Sequence, residues 1–213
     1  MIVTVDIRTI ESMPFAQNSY VLHVPGRADC VVVDPGFEPD LISEYLTDEG
    51  LKPAAILNTH GHVDHIAGNQ AIKESYPDAP LVIGEGEADF LTDADLNLSG
   101  PYGIPITSPP ADKLVKHGET IEYAGMAFEV RLAPGHSPGH VVFVVQGAKM
   151  VIGGDVLFRD SIGRHDFPGG SLELLADSIR TQLYTLPDET VVYPGHGPTT
   201  KIGYEKGNNP FVR

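Results

Sequence analysis

Short apolar runs rich in Val and Ile recur along the chain, separated by segments with helical spacing. Runs of this length bounded by Gly, Pro and Asp read as strands. They place strands at residues 2–7, 19–24, 29–33, 54–58 and 81–83 in the first half. In the second half they fall at 120–123, 127–132, 141–145, 150–152 and 191–193. Pro25-Gly26, Ala124-Gly125 and Gln146-Gly147 supply turns. A helix is predicted over 39–49, with Leu41, Ile42, Tyr45 and Leu46 on one face and Gly50 as its stop. Others follow at 65–76, ended by Pro77, and as a short piece at 87–92. The clearest helix spans 171–186, with Ser171 as N-cap and an apolar stripe of Leu174, Leu175, Ile179 and Leu183. A helical tail is expected from Thr200. Two halves of strands followed by helices predict two sheets packed face to face with helices outside.

The pattern breaks between residues 94 and 113, where Pro101, Pro105, Pro109 and Pro110 join Gly100 and Gly103. A loop of this length inside a compact domain usually carries function or motion. The 213 residues are read as one domain, 1–213, and 41% hydrophobic residues suffice for a large core. Lys and Arg total 14 against 29 Asp and Glu, a net charge of -15. That balance disfavours nucleic acid or an anionic membrane as partner, because both are gripped through Lys and Arg. Cys30, the sole cysteine, sits in Cys30-Val31-Val32-Val33 and is expected in the core, which fits a reducing compartment. The first residues, Met1 to Arg8, lack the basic leader and apolar stretch of a signal peptide. No window approaches the ~20 apolar residues that span a bilayer. The expectation is a soluble, cytoplasmic chain.

The densest chemistry is Thr59-His60-Gly61-His62-Val63-Asp64-His65, directly after Ala55-Ile56-Leu57. Three imidazoles and a carboxylate within six positions suit Zn, Mn or Fe, and a set without cysteine favours a reactive metal site over a sealed structural one. Three later motifs repeat the theme: Leu132-Ala133-Pro134-Gly135-His136-Ser137-Pro138-Gly139-His140, Val151-Ile152-Gly153-Gly154-Asp155 and Tyr193-Pro194-Gly195-His196-Gly197-Pro198. Each puts a ligand-type side chain just past a strand end, where α/β architectures tend to build sites. His140 opens an apolar strand and reads as a hydrogen-bonded or core histidine. His165 lies in a loop, exposed or touching substrate, and His23 and His117 read as surface residues.

Taken in order, these motifs resemble the metallo-β-lactamase superfamily, over essentially the whole chain. The resemblance implies a four-layer αββα sandwich carrying a di-metal hydrolytic site. The run Asp160-Ser161-Ile162-Gly163-Arg164-His165-Asp166-Phe167-Pro168-Gly169-Gly170, the segment 193–198 and Asn209-Pro210-Phe211 resemble the glyoxalase II group of thioester hydrolases, in its short bacterial form. By that resemblance His60, His62 and His136 hold one divalent metal, Asp64, His65 and His196 hold a second, and Asp155 bridges them. Zinc is the expected ion, with iron or manganese as alternatives. The implied reaction is hydrolysis of a small-molecule thioester of the S-lactoylglutathione type by a hydroxide formed between the two cations. Asp64 and Asp155 then serve catalysis as ligands, and a ligating Asp64 is not a free base. Arg164 stands where this group carries a basic substrate contact, and guanidinium suits a carboxylate; its other reading is an ion pair with Asp160 or Asp166. Phe167 lines the pocket or anchors its loop, and Lys206 reads as solvated. His165 departs from the small hydroxyl residue expected there.

Longer glyoxalase II enzymes add a helical C-terminal domain that supplies glutathione contacts, whereas this chain ends soon after the His196 motif. Loops 94–113 and 160–170 are then expected to recognise the substrate. The alternatives within the superfamily are a mononuclear iron persulfide dioxygenase, a lactonase, a nuclease and a β-lactamase. The charge of -15 counts against the nuclease. For the β-lactamase, Asp155 stands where one major subclass has cysteine, and no export signal is seen. Outside enzymes, the alternative is a non-catalytic metal-binding protein.

Overall fold

The computed structural model describes residues 3–101 and 103–212. The first half supplies β1 (Asp6–Ser12), β2 (Gln17–His23), β3 (Asp29–Val33), β4 (Lys52–Leu57), β5 (Leu81–Gly84) and β6 (Lys113–Val115), arranged in that spatial order. β1 to β3 are antiparallel, and β3 to β6 run parallel. Parallel neighbours need crossovers, which α1 (Pro39–Asp48), α2 (Val63–Ile66) and α3 (Asn69–Ser75) help to supply. The second half supplies β7 (Thr120–Tyr123), β8 (Met126–Leu132), β9 (Val141–Val145), β10 (Met150–Gly154), a small hairpin of β11 (Leu157–Phe158) and β12 (Ser161–Ile162), then β13 (Val191–Pro194) and β14 (Thr200–Lys201). Its sheet runs β14-β13-β10-β9-β8-β7. Two further helices are α4 (Leu172–Ser178) and α5 (Ile202–Asn208).

The apolar runs are continuous because both faces of the strands are buried. In β3, Val31 and Val33 enter the core shared by the two sheets, with Tyr20, Leu57, Phe128, Phe143 and Ile152. Cys30 and Val32, offset by one residue, face Ile42, Leu46 and Ile72 of α1 and α3. The second sheet does the same, turning Val142, Val151 and Val192 onto Leu175, Ile179, Leu183 and Ile202. Helices, sheet, sheet and helices give the four-layer αββα sandwich. Cys30 is buried and free, and burial pushes its thiol up to about 12. Among the described residues no helix is long and apolar enough to cross a membrane.

Several elements differ from the sequence expectation. The strand placed at 2–7 begins at a residue outside those described, and β1 instead runs Asp6–Ser12, because its ladder pairs Asp6 with His23 through Ser12 with Gln17. Val3 leaves this ladder and donates to the Gly147 carbonyl. The single helix over 65–76 is two, α2 and α3. The break falls at Gly68, whose amide donates to the Pro35 carbonyl and where a Cβ would sit 2.6 Å from the Gly36 oxygen. Leu41 and Leu174 are 42% and 50% exposed, since each sits about 100° from its helix's buried stripe. The helix over 171–186 is α4 followed by a π-helical turn at Ile179–Leu183. Ser171 caps it as expected, accepting the Leu174 amide. The piece at 87–92 is a 3₁₀ turn over Glu85–Leu91, Lys113 opens β6, and the tail from Thr200 starts as β14 before α5.

Candidate metal centre

Five strands of the two sheets end at one place. β3 delivers Asp34, β4 the loop with His60, His62, Asp64 and His65, β8 His136, β10 Asp155 and β13 His196. Charged and polar groups are affordable here because a strand end frees its last backbone groups from the ladder while neighbouring strands hold the loops in register. His60, His62, His65, His136 and Asp155 are all buried. The rim is wetter: the side chains of His196 and Asp64 are 28% and 16% exposed.

The ring nitrogens converge in two groups. His136 Nε2 lies 2.8 Å from His62 Nδ1 and 3.2 Å from His60 Nε2. His196 Nε2 lies 3.2 Å from Asp64 Oδ2 and 3.5 Å from Asp155 Oδ2, and His65 Nε2 lies 3.7 Å from Asp64 Oδ2 and 3.4 Å from Asp155 Oδ1. Asp155 stands between the groups, its Oδ2 also 3.6 Å from His136 Nε2. The donor atoms of His60, His62 and His136 lie within 4.8 Å of one another, as do those of Asp64, His65 and His196, and those of His60, His65 and Asp155.

The outer nitrogens fix what the inner ones present. His136 Nδ1 lies 2.7 Å from the Arg164 carbonyl, His65 Nδ1 3.0 Å from Asp34 Oδ2, and His196 Nδ1 3.2 Å from the Phe15 carbonyl. Each partner only accepts, so each Nδ1 carries a proton, and on the neutral ring each Nε2 is left with its lone pair facing inward. His60 follows the same logic through one relay. Thr59 Oγ1 donates to Asp34 Oδ2 at 2.7 Å and therefore accepts from His60 Nδ1 at 3.1 Å. Hence His60 Nε2 and His136 Nε2 face each other lone pair to lone pair at 3.2 Å, and of the two His136 Nε2 has a donor in reach, His62 Nδ1 at 2.8 Å. His65 Nε2 and Asp155 Oδ1 are buried without a hydrogen-bond partner. Groups this costly to desolvate call for a cation among them. The residues present fit two divalent ions.

Electrostatics divide the histidines into the same two sets. Burial, reinforced by neighbouring histidines, holds His60 well below its ordinary value and His62 down to about 3, and His136 is also lowered by burial. Burial opposes charge on His65 and His196 too, but Asp64 and Asp155 outweigh it and raise both. Conversely, Asp64 and Asp155 are lowered despite burial, through His65 above all.

Residues the sequence did not single out complete the centre. Asp34 accepts from Thr59 N and Thr59 Oγ1, both at 2.7 Å, and from His65, so one carboxylate orients ligands of both groups. Asn18 clasps the His196 loop, its Nδ2 donating to the carbonyls of Pro194 at 3.0 Å and Gly197 at 2.8 Å. His140, which the sequence did single out as a hydrogen-bonded or core histidine, is buried, and its Nε2 accepts the Asp155 amide at 3.0 Å. The strand-end placement of Asp34, in Val33-Asp34-Pro35-Gly36, is the signal that would have found it.

A cleft of about 320 Å³ opens over these groups, walled by Phe15, Val63, Leu98, Phe158 and Phe167. Asn97 and Leu98 bring the 94–113 loop into the wall, and the Asn97 carbonyl accepts the Val63 amide. Arg164 also lines the cleft. Its guanidinium lies 4.0 Å from the Phe167 ring centroid and pairs with both Asp166 oxygens at 2.9 Å. The ion pair with Asp166 is thus present, and it sits at the cleft that Arg164 lines. His165, half-buried, does not line the cleft, His117 is exposed, and Lys206 pairs with Asp188.

A family model described as metallo-beta-lactamase superfamily matches residues 13–196. A probable metallo-hydrolase of Bacillus subtilis, YqgX, is 42% identical over 93% of this chain and 93% of its own. The hydroxyacylglutathione hydrolase GloC of Haemophilus influenzae is 34% identical over 97% of this chain and 98% of its own. Among solved structures, the BLEG-1 B3 metallo-β-lactamase superposes with a TM-score of 0.93 at 38% identity, over 97% of this chain and 99% of that one. TTHA1623 in a di-iron-bound form gives 0.84 at 36% identity, over 96% and 100%.

Proposed function

The chain belongs to the metallo-β-lactamase superfamily, and on that premise we propose that it is a metal-dependent hydrolase of thioesters of the S-lactoylglutathione type. The observation that carries the metal part is the convergence of the ring nitrogens, with His60 Nε2 facing His136 Nε2 at 3.2 Å. In this reading His60, His62 and His136 would hold one ion and Asp64, His65 and His196 the other, with Asp155 placed between the two groups. Zinc is the first choice of ion, and the likeness to a di-iron-bound protein keeps iron beside it. Two such ions supply Lewis acidity and lower the pKa of a nearby water.

The chain's own residues do the rest. Asp64 and Asp155 balance part of the metal charge and hold it at the cleft floor. Asp34 and the carbonyls of Arg164 and Phe15 keep the imidazoles in the binding tautomer. Phe15, Phe158, Phe167 and Leu98 exclude water from one side and give an acyl group an apolar seat. Arg164 can release Asp166 and take a substrate carboxylate in the same bidentate geometry. The kinship with GloC supports a glutathione thioester in particular.

The test is metal analysis of the purified protein beside hydrolysis assays. Two divalent ions per chain with S-lactoylglutathione turnover would support the proposal. One iron with oxygen consumption on a glutathione persulfide would replace it. The likeness to a B3 metallo-β-lactamase makes β-lactam hydrolysis the second reading, so a cephalosporin belongs in the same panel.

A further inference from the structure

Glu87 is a buried carboxylate that meets no cationic side chain among the described residues. It lies in the 3₁₀ turn Glu85–Leu91 and is 0% exposed. Its two oxygens accept amides from two different loops: Oε2 from Gly61 at 2.9 Å and Oε1 from Gly139 at 2.8 Å. Gly61 separates His60 from His62. Gly139 adjoins His140, whose ring stacks on His60 at 4.7 Å between centroids and whose Nε2 receives the Asp155 amide. A single side chain therefore ties the loop of two histidines to the loop that carries His136.

The packing leaves this arrangement little slack. A Cβ on Gly139 would stand 2.4 Å from the carbonyl carbon of Gly86, and one on Gly61 would stand 2.3 Å from Phe90 Cβ. Backbone thus presses on backbone at Gly139 and on the Phe90 side chain at Gly61, and Glu87 supplies acceptors where an apolar residue would leave two amides unsatisfied. Burial of a carboxylate without a counter-charge is costly in any fold. Here the cost coincides with the two loops whose separation sets the His60–His62–His136 triangle.

We propose that Glu87 is a positioning residue that sets the geometry and affinity of the three-histidine metal site. The proposal rests on the metal reading above. A glutamine at this position must aim its amide nitrogen at one of the two N–H groups, donor against donor, so one loop is released. An aspartate keeps the charge but falls a methylene short of holding both amides. Glu205 provides the control: it is equally buried, accepts from Thr200, Asn209 and the Asp160 amide, and touches no residue of the site.

The experiment is cobalt(II) titration of metal-stripped protein, read by visible absorption, for the unaltered chain, Glu87→Gln, Glu87→Asp and Glu205→Gln, with thermal unfolding in parallel. Glu87→Gln is expected to weaken cobalt binding at the three-histidine site about 10–100-fold, as loss of an outer-shell partner does, and to change the ligand-field bands. Glu87→Asp should fall between it and the unaltered protein, and carries the same test should Glu87→Gln not fold. Glu205→Gln should lower stability while leaving affinity and spectrum unchanged. If Glu87→Gln also lost stability alone, its role would be structural and the proposal overturned. Failure of the unaltered protein to take up cobalt would overturn the metal reading, and this one with it.

Discussion

Asp34→Asn isolates the hub of the site with little other disturbance. Asp34 has φ +48, a left-handed conformation that Asn and Asp tolerate better than other side chains, so the backbone should remain in place. Its carboxylate accepts three buried donors: Thr59 N at Oδ1, and Thr59 Oγ1 and His65 Nδ1 at Oδ2. An asparagine must place an NH2 at one of these oxygens. If it faces Thr59 N, two donors collide and a buried amide goes unsatisfied, which costs ~1–3 kcal/mol. If it faces His65, the ring must accept at Nδ1 and move its proton to Nε2. That nitrogen then points a hydrogen, in place of a lone pair, toward Asp64 and Asp155.

Either arrangement works against the second metal position, and the first through His60 only by way of the Thr59 hydroxyl. Loss of such a partner weakens metal binding about 10–100-fold, equivalent to ~1.4–2.7 kcal/mol. The assay is competition for the metal against a chromophoric chelator, which resolves two binding steps, with kcat/KM on the thioester measured at saturating metal. One step should move by that factor and the other by less. Two steps with unaltered constants would refute the tautomer argument, because the lone pair on His65 would then not depend on Asp34.

Other expectations concern the ligands, the pH response and the cleft. His62→Ala should abolish hydrolysis while the circular dichroism spectrum and fold persist; retained activity would exclude this site. The metal-stripped protein should lose stability on acidification from about pH 6.5, measured by urea unfolding. His60, His62, His136 and His140 have lowered values, so between their folded and unfolded values the unfolded chain binds more protons, at ~1.4 kcal/mol per proton per pH unit. His65 and His196 are raised and contribute in the opposite sense, so their stabilisation is complete below about 6.5 and does not add to the acid loss. Arg164→Ala should raise KM for carboxylate-bearing thioesters several-fold with little change in melting temperature, since a solvent-screened surface ion pair adds little stability. Phe167→Ala should instead raise KM across thioesters whether or not they carry a carboxylate, checked by comparing an anionic and a neutral series.

The strands were legible because both faces of each sheet are buried, which writes Val31, Val32 and Val33 as an unbroken run. Helix boundaries were less so. Ala67-Gly68 does not interrupt the periodicity of residues 65–76, yet Gly68 must pack against the Pro35-Gly36 turn, a contact 32 residues away in sequence. β6 escaped notice for a similar reason. Lys113-Leu114-Val115 has little character of its own, and it becomes a strand by pairing with Val82-Ile83-Gly84.

The site divides along the same line. Imidazoles are rare, and metal geometry forces several to share one loop, so His60, His62 and His65 announce themselves. The groups that aim them are common residue types placed far away: Asp34 is 25 residues from Thr59, and Glu87 is 26 from Gly61 and 52 from Gly139. No local pattern reports such pairings. A weaker rule would still have reached Asp34, because one part of the argument that favoured Asp155, a carboxylate ending an apolar strand, applies to Val33-Asp34 as well. The two residues then differ in task by one step in distance. Asp155 ends a strand pointing between the two sets of nitrogens, and Asp34 ends one pointing at their backs. Strand-end carboxylates in this architecture are thus candidates both for holding a metal and for orienting what holds it, and the hydrogen-bond partners of the histidines decide which.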